Sequence, residues 1–157
     1  MLIRPARYTD LERIGTLWLE LVRYHAALDP AMPQATQDGA LRYANQLAVR
    51  LEDWDYAVFV AEVDGQVVGF ITAMIVEMLP DTFEGERGGM VGDLYVQPDY
   101  RGGTGRALLE AALGWFRLRR VRYYELHVAS ANAVGLAFWR SAGGREIMYR
   151  MRVVIED

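Results

Sequence analysis

Residues 90–118 constrain this chain more than any other stretch. An apolar run, Met90–Val96, stops before Pro98. Three glycines then fall within four positions, Gly102, Gly103 and Gly105, and Leu108, Leu109, Ala112, Leu113 and Phe116 follow at helical spacing. The pattern predicts a strand over 90–96, a tight glycine turn and a helix over 104–118. A strand that turns directly into a helix offers backbone N–H groups at the positive end of the helix dipole, which suits phosphate oxygens. Glycine permits an approach that a Cβ would block. Arg101 and Arg106 bracket the turn and can add charge-assisted hydrogen bonds. Two other phosphate loops fail on residues alone. A P-loop needs Gly-Lys, and all 17 basic residues are arginine. A dinucleotide fingerprint needs a third glycine where Leu108 stands, and it follows an early strand, whereas here about 100 residues come first.

Other segments supply the frame. Residues 2–5 read as a short strand ending at Pro5. Thr9-Asp10-Leu11-Glu12 has capping-box form, and Leu11, Ile14, Trp18, Leu21, Val22 and Leu28 predict an amphipathic helix over 10–27. After the break at Asp29–Pro33, Leu41, Ala44, Leu47, Ala48 and Leu51 mark one face of a helix over 37–51. Asp64-Gly65 between Tyr56–Val63 and Gln66–Glu77 signals a hairpin. Residues 78–89 read as an acidic, glycine-rich loop. Tyr123–Val128 reads as a buried strand and Asn132–Ser141 as a short helix closed by Gly143-Gly144. Alternation of Ile147, Tyr149, Met151, Val153 and Ile155 predicts a strand over Glu146–Ile155. The order is β-α-α-β-β-β-α-β-α-β. It implies one α/β (α+β) domain over 1–157, with a mixed, mostly antiparallel twisted sheet of six or seven strands and about four helices.

Composition narrows the chemistry. With no cysteine there are no thiolate nucleophiles, disulfides or thiolate metal sites, and with no lysine there is no Schiff base. His25 and His127 are the two histidines, so a three-histidine metal centre is impossible and no metal is expected. A net charge of −4 argues against a nucleic-acid partner. No apolar run nears the ~18 residues of a membrane span, so a soluble, cytoplasmic chain with no membrane partner is expected.

The segment from Val96 to Leu109, V-Q-P-D-Y-R-G-G-T-G-R-A-L-L, resembles motif A of the GCN5-related N-acetyltransferase (GNAT) superfamily, V-x-P-x-[YF]-R-G-x-G-x-G-x-x-L, which binds the coenzyme A pyrophosphate. Asn132 to Gly144 is similar to that family's later N-x-x-A-x-x-F-Y-x-x-x-G-F helix. The ELHV run (Glu125–Val128), the VDGQVVGF hairpin (Val63–Phe70) and the capped first helix extend the resemblance over nearly the whole chain. It implies direct transfer of an acetyl group from acetyl-CoA to a primary amine of a small molecule or peptide in a ternary complex. It also implies backbone contacts from Leu94, Tyr95 and Val96 to the pantetheine and thioester. Arg101, Gly102, Gly103, Thr104, Gly105 and Arg106 would hold the diphosphate, with Asn132, Phe138 and Trp139 lining the rest of the cofactor path. A homodimer is common in the family. The chain departs from the pattern in three places. The loop is one residue shorter, so Tyr100 falls where Gln or Arg is usual; Trp139 replaces the tyrosine that often protonates the thiolate; and Gly92 stands where relatives place a catalytic glutamate.

The reaction sets its own requirement. An alkyl amine of pKa ~10.4 is about one part in a thousand neutral at pH 7, so a base or desolvation must offset about 4–5 kcal/mol. Asp93 is the candidate base and Glu77 the reserve. A thiol pKa near ~8.5 leaves the departing thiolate needing modest help, for which Tyr95 and Tyr149 are candidates. Tyr24 and His25, late in the first helix, lie near where relatives contact the acceptor. His127 reads as a core histidine. Glu77, Asp81, Glu84 and Glu86, and separately Arg117, Arg119, Arg120 and Arg122, read as solvated charge. Two rival readings are a non-catalytic acyl-CoA-binding sensor or regulatory domain, and a nucleotide-binding module.

Overall fold

Period-two patterning and one two-residue turn build the centre of the sheet. The computed structural model describes residues 1–77, 79, 82, 84–85 and 87–155. The chain divides into two units, Met1–His127 and Val128–Asp157. The first holds β1 (Leu2–Pro5), α1 (Leu11–Leu28), α2 (Gly39–Arg50), β2 (Tyr56–Val63), β3 (Gln66–Val76), β4 (Gly88–Val96), α3 (Arg101–Leu118) and β5 (Tyr124–Leu126). The second holds α4 (Ala133–Ser141), capped by Asn132, whose Oδ1 accepts from the Gly135 N–H at 2.9 Å.

Strand order is β1-β2-β3-β4-β5, antiparallel except for the parallel β4–β5 pair. The β2–β3 turn has positive φ at both Asp64 (50°) and Gly65 (76°), the geometry that matches strand twist in a two-residue hairpin. Alternation then sorts the two faces. Val58, Val60, Phe70 and Tyr95 join Leu11, Ile14, Leu17, Leu21, Ala44 and Leu47 in one apolar cluster, so α1 and α2 cover that side. Leu108, Leu109, Ala112 and Phe116 of α3 are also buried, and a Cβ at Gly89 would stand 2.6 Å from the Phe116 ring, so α3 packs on the sheet there.

Several expectations need correction. The sheet has five strands among the described residues, not six or seven. Residues 146–155 carry no strand, and Ile147, Tyr149, Met151, Val153 and Ile155 are 61–91% exposed. Alternation gives a segment two faces, but a strand forms only when a neighbour takes its backbone hydrogen bonds, and the second unit contains no strand among its described residues. β5 is half-buried and three residues long, and His127 beyond it is exposed rather than a core histidine. Leu41 is 64% exposed, and Tyr43 takes the inward position on α2.

The cap of α1 also differs. A single 3-10 turn, Tyr8–Asp10, precedes the helix, and Asp10 rather than Glu12 reaches back, its Oδ2 accepting the Arg7 N–H at 2.7 Å. Arg4 on β1 clamps the same carboxylate through two hydrogen bonds, 2.7 and 3.0 Å, and also donates to Glu62 on β2. This pair ties the first strand to the first helix and is nearly buried. The Arg4 hydrogen bond holds the Asp10 carboxyl below its usual value against the opposing effect of burial. Asp10→Asn is expected to destabilise by about 3 kcal/mol, because Arg4 is left without its main partner. A depressed carboxylate stabilises above its unfolded pKa and loses that contribution as pH falls through the folded value. Denaturant titrations should therefore give a constant gap between wild type and variant from about pH 7 to 5, closing below about pH 4.

Candidate active site

Everything of chemical interest in the first unit gathers where β4 stops being a regular strand. Ile71 pairs with Leu94 and Ala73 with Val91, so Gly92 and Asp93 together oppose the single residue Thr72. This is a β-bulge, which turns both bulged residues toward one side of the sheet. Gly92 is required by that geometry, since a Cβ there would stand 2.8 Å from Thr72 Oγ1. The residue missing relative to the usual glutamate thus makes room for Thr72. That hydroxyl, fully buried, accepts the Asp93 N–H at 2.9 Å.

Asp93 thereby faces α1 and α2, where the Tyr43 hydroxyl donates to its Oδ2 at 2.7 Å. Burial pushes the Asp93 carboxyl above the ordinary carboxylate range, against the Tyr43 hydrogen bond and the charge of His25, which favour the anion. His25 is held below the usual imidazole value by burial, with Asp93 pulling the other way. Burial and the adjacent Asp93 raise the Tyr43 phenol well above its ordinary value, so it remains a donor. Tyr56 belongs to the same group: its hydroxyl contacts Thr72, burial raises its pKa, and Asp93 adds to the shift.

Beyond the bulge, β4 parts from β5. The parallel pairing covers Gly89, Met90 and Val91 only, leaving the backbone of Leu94, Tyr95 and Val96 on that edge without a β5 partner. A 3-10 turn, Pro98–Tyr100, then leads into α3. Its first turn is irregular: Gly102 (ψ 69°) and Gly103 (φ 101°) are non-helical, so regular helix starts at Thr104, as the spacing predicted. Gly103 needs the freedom of glycine for that φ. Nothing lies within 4 Å of where a Cβ would stand on Gly102 or Gly103, so the turn opens onto free space at a helix N-terminus, a fit for a diphosphate. The parted edge similarly suits an amide-bearing arm.

The other expected residues divide. Arg101 turns back, its Nε–H donating to the Val96 carbonyl at 3.1 Å and its guanidinium lying over the Tyr24 ring at 5.7 Å. Arg106 is exposed and Gly105 half-buried on α3. The Thr104 side chain is buried and its hydroxyl points to Met1 Sδ, 3.2 Å away, which leaves its backbone to face the turn. Tyr95 is buried among α1 residues, where its hydroxyl donates to Glu20 Oε2 at 3.1 Å; burial raises its pKa, and Glu20 raises it further. Tyr24 and His25 share one end of α1, ring centroids 5.7 Å apart. Glu77 is exposed past the end of β3, five residues from Thr72 and so roughly 16 Å along the strand. Glu84 is exposed too, while Asp81 and Glu86 lie outside the described residues. In the second unit Phe138 and Trp139 meet edge to face at 5.0 Å, and Tyr149 is 85% exposed. Arg119, expected to be solvated, lies over Trp115 at 4.4 Å and Trp54 at 5.0 Å.

Sequence reasoning missed Tyr43, Thr72 and Glu20. Glycine inside a strand pattern is a recognised bulge signal, and Gly92 carried it. Tyr43, four residues before Leu47, also sat on the inward stripe.

A mixed sheet that parts beside a glycine turn, with a desolvated carboxylate at the parting, defines a class of α/β domain. The family model described as "Acetyltransferase (GNAT) family" matches residues 20–143. The chain belongs to that family. It is 36% identical to a mycothiol acetyltransferase of Amycolatopsis mediterranei over 156 residues, 87% of this chain and 51% of that one, so it spans about half the length of that relative. It is 36% identical to an uncharacterized N-acetyltransferase of Archaeoglobus fulgidus over 147 residues, 90% of each. Among solved structures, a mutant of the BH1408 protein of Bacillus halodurans superposes with TM-score 0.87 at 22% identity, over 99% of this chain and 100% of that one. A predicted acetyltransferase of Clostridium acetobutylicum, solved with acetyl-CoA, gives 0.73 at 15% identity over 98% and 95%. At those identities the structures speak for the fold. No helix among the described residues is long and apolar enough to cross a membrane.

Replacing Gly92 with Ala forces a methyl group against Thr72. The expected loss is about 1–3 kcal/mol, read as a lower denaturation midpoint with unchanged slope.

Proposed function

We propose that this chain is an acetyl-CoA-dependent N-acetyltransferase, a single domain over 1–157, acting on a primary amine of a small molecule or peptide. The observation that carries the reading is Asp93: an ionisable, desolvated carboxylate at the point where β4 leaves β5, nine residues before Gly102 at the start of an anion-ready turn. The family match, which runs on both sides of residue 127, supports taking the chain as one domain.

In this reading acetyl-CoA supplies the acyl group as a thioester, which is reactive toward a neutral amine. The backbone of Gly102, Gly103, Thr104 and Gly105 with Arg106 holds the diphosphate, and Arg101 fixes the turn to the strand end. The parted edge at Leu94–Val96 aligns the amide-bearing arm. The family resemblance names Asn132, Phe138 and Trp139 as further cofactor-contact candidates. Asp93 takes the proton of the acceptor ammonium, directly or through water. Its raised pKa makes it a better proton acceptor than a surface carboxylate. Tyr24 and His25 stand on the acceptor side. The chain contains no cysteine to form a thioester acyl-enzyme, which favours direct transfer in a ternary complex.

A non-catalytic acyl-CoA sensor is the second reading, favoured by the Tyr95 hydroxyl being engaged with Glu20 rather than presented as an acid. Thiol release over a panel of amines separates the two, because a sensor binds acetyl-CoA and releases no thiol beyond background.

Asp93→Asn is expected to lower kcat by about 100-fold or more with little change in acetyl-CoA affinity. In wild type, kcat/KM should fall as pH drops through the raised Asp93 value, since the base must be ionised, and that limb should vanish in the variant. An unchanged kcat and pH profile would remove Asp93 from the mechanism. Gly103→Val strains a φ of 101° in the turn. Calorimetry should show acetyl-CoA binding weakened by about tenfold or more.

A further inference from the structure

The aromatic group beneath Asp93 is more than core. Tyr43 is packed between two other rings, stacked on Trp18 at 4.8 Å and 11° and edge-on to Phe70 at 6.2 Å. A phenylalanine would fill that slot equally well. A buried phenol needs a partner for its O–H, and here the partner is the carboxylate at the bulge, 2.7 Å away. The bulge has no freedom of its own either, because Thr72 Oγ1 holds the Asp93 amide and the bare Cα of Gly92 leaves room for that hydroxyl. Thus α2 aims one oxygen of Asp93 and β3 aims its backbone.

We infer that Tyr43 is the positioning residue of this site, holding the Asp93 carboxylate in the orientation and charge state in which its second oxygen receives the acceptor's proton. The inference rests on the reading of Asp93 as the base. Among the described residues, the titratable groups that face this carboxylate are His25 from α1, Tyr43 from α2 and Tyr56 from β2, while the Thr72 hydroxyl of β3 holds its backbone amide. His25 favours the Asp93 anion when it carries charge, and burial disfavours that charge. Tyr56 as a neutral phenol contributes no charge. Tyr43 is the hydrogen-bond donor to the carboxylate among the described residues, and its bond favours the anion. Removing it makes Asp93 hold a proton to higher pH.

The test uses the full chain labelled with carboxyl-13C aspartate, with Asp93→Asn to assign the resonance. In Tyr43→Phe the Asp93 titration midpoint should rise by about one unit, and the acid limb of kcat/KM should move up with it, while KM for acetyl-CoA changes less than about twofold. Trifluorotyrosine at position 43 keeps the shape and is a stronger donor, so it should move both readouts the opposite way even if the phenylalanine variant folds poorly. If neither substitution moves the Asp93 midpoint, Tyr43 only packs and the inference is overturned, whatever happens to the rate. If the midpoint moves as expected but Asp93→Asn retains wild-type kcat, the hold of Tyr43 on Asp93 stands and the base assignment falls.

Discussion

The structure depends on a mismatch of one residue between β3 and β4. Because Gly92 and Asp93 together face Thr72, β4 changes side at that point, and only its first part stays paired with β5. A regular strand would keep strict alternation and present every backbone group to a neighbour on each edge. The bulge breaks both habits at once. It delivers a carboxylate to the face covered by α1 and α2, and beyond it the other edge of β4 runs unpaired by β5 toward the glycine turn at the head of α3.

Such an arrangement is held by its surroundings rather than by itself. A desolvated carboxylate is unfavourable, and here it is tolerated because the Tyr43 phenol, packed between Trp18 and Phe70, donates to it while Thr72 holds its backbone amide. The Arg4–Asp10 clamp secures α1 to the sheet at the opposite end of that helix. Around Glu20, the Tyr95 hydroxyl, the Gln97 amide and Arg13 form a second polar group on the same helix face, linking α1 to the last residues of β4. The clamp ties α1 to β1 and the Glu20 group ties it to β4, so Tyr24 and His25 are carried on a helix held to two strands.

The legible parts of the sequence were those governed by short-range rules. The β2 limits, the hairpin turn and the start of regular helix at Thr104 followed from residue period, two turn residues and the clustering of glycines. Asp93 stood out as the acid beside Gly92, where relatives place a catalytic glutamate. Legibility failed where a contact depended on distant chain. Tyr43 is 50 residues from Asp93, and nothing in its own window distinguishes a packing tyrosine from one whose hydroxyl is used. Thr9 and Glu12 matched a capping box, yet Asp10 won because Arg4, on a separate strand, holds its carboxylate. The alternating run at 146–155 had the pattern of a strand and lacked a partner in its own unit.

The order of residues by itself determined the element order as far as α4, the glycine turn and the family, because these rest on steric preferences and spacings within a few residues of one another. Tertiary structure alone decided that Gly92 makes room for a threonine from the neighbouring strand, that a tyrosine on α2 meets the carboxylate, and that β5 stops short of Leu94. Those outcomes depend on register and on which side chain arrives opposite which, and a shift of one residue in pairing turns every later side chain to the other face of the sheet.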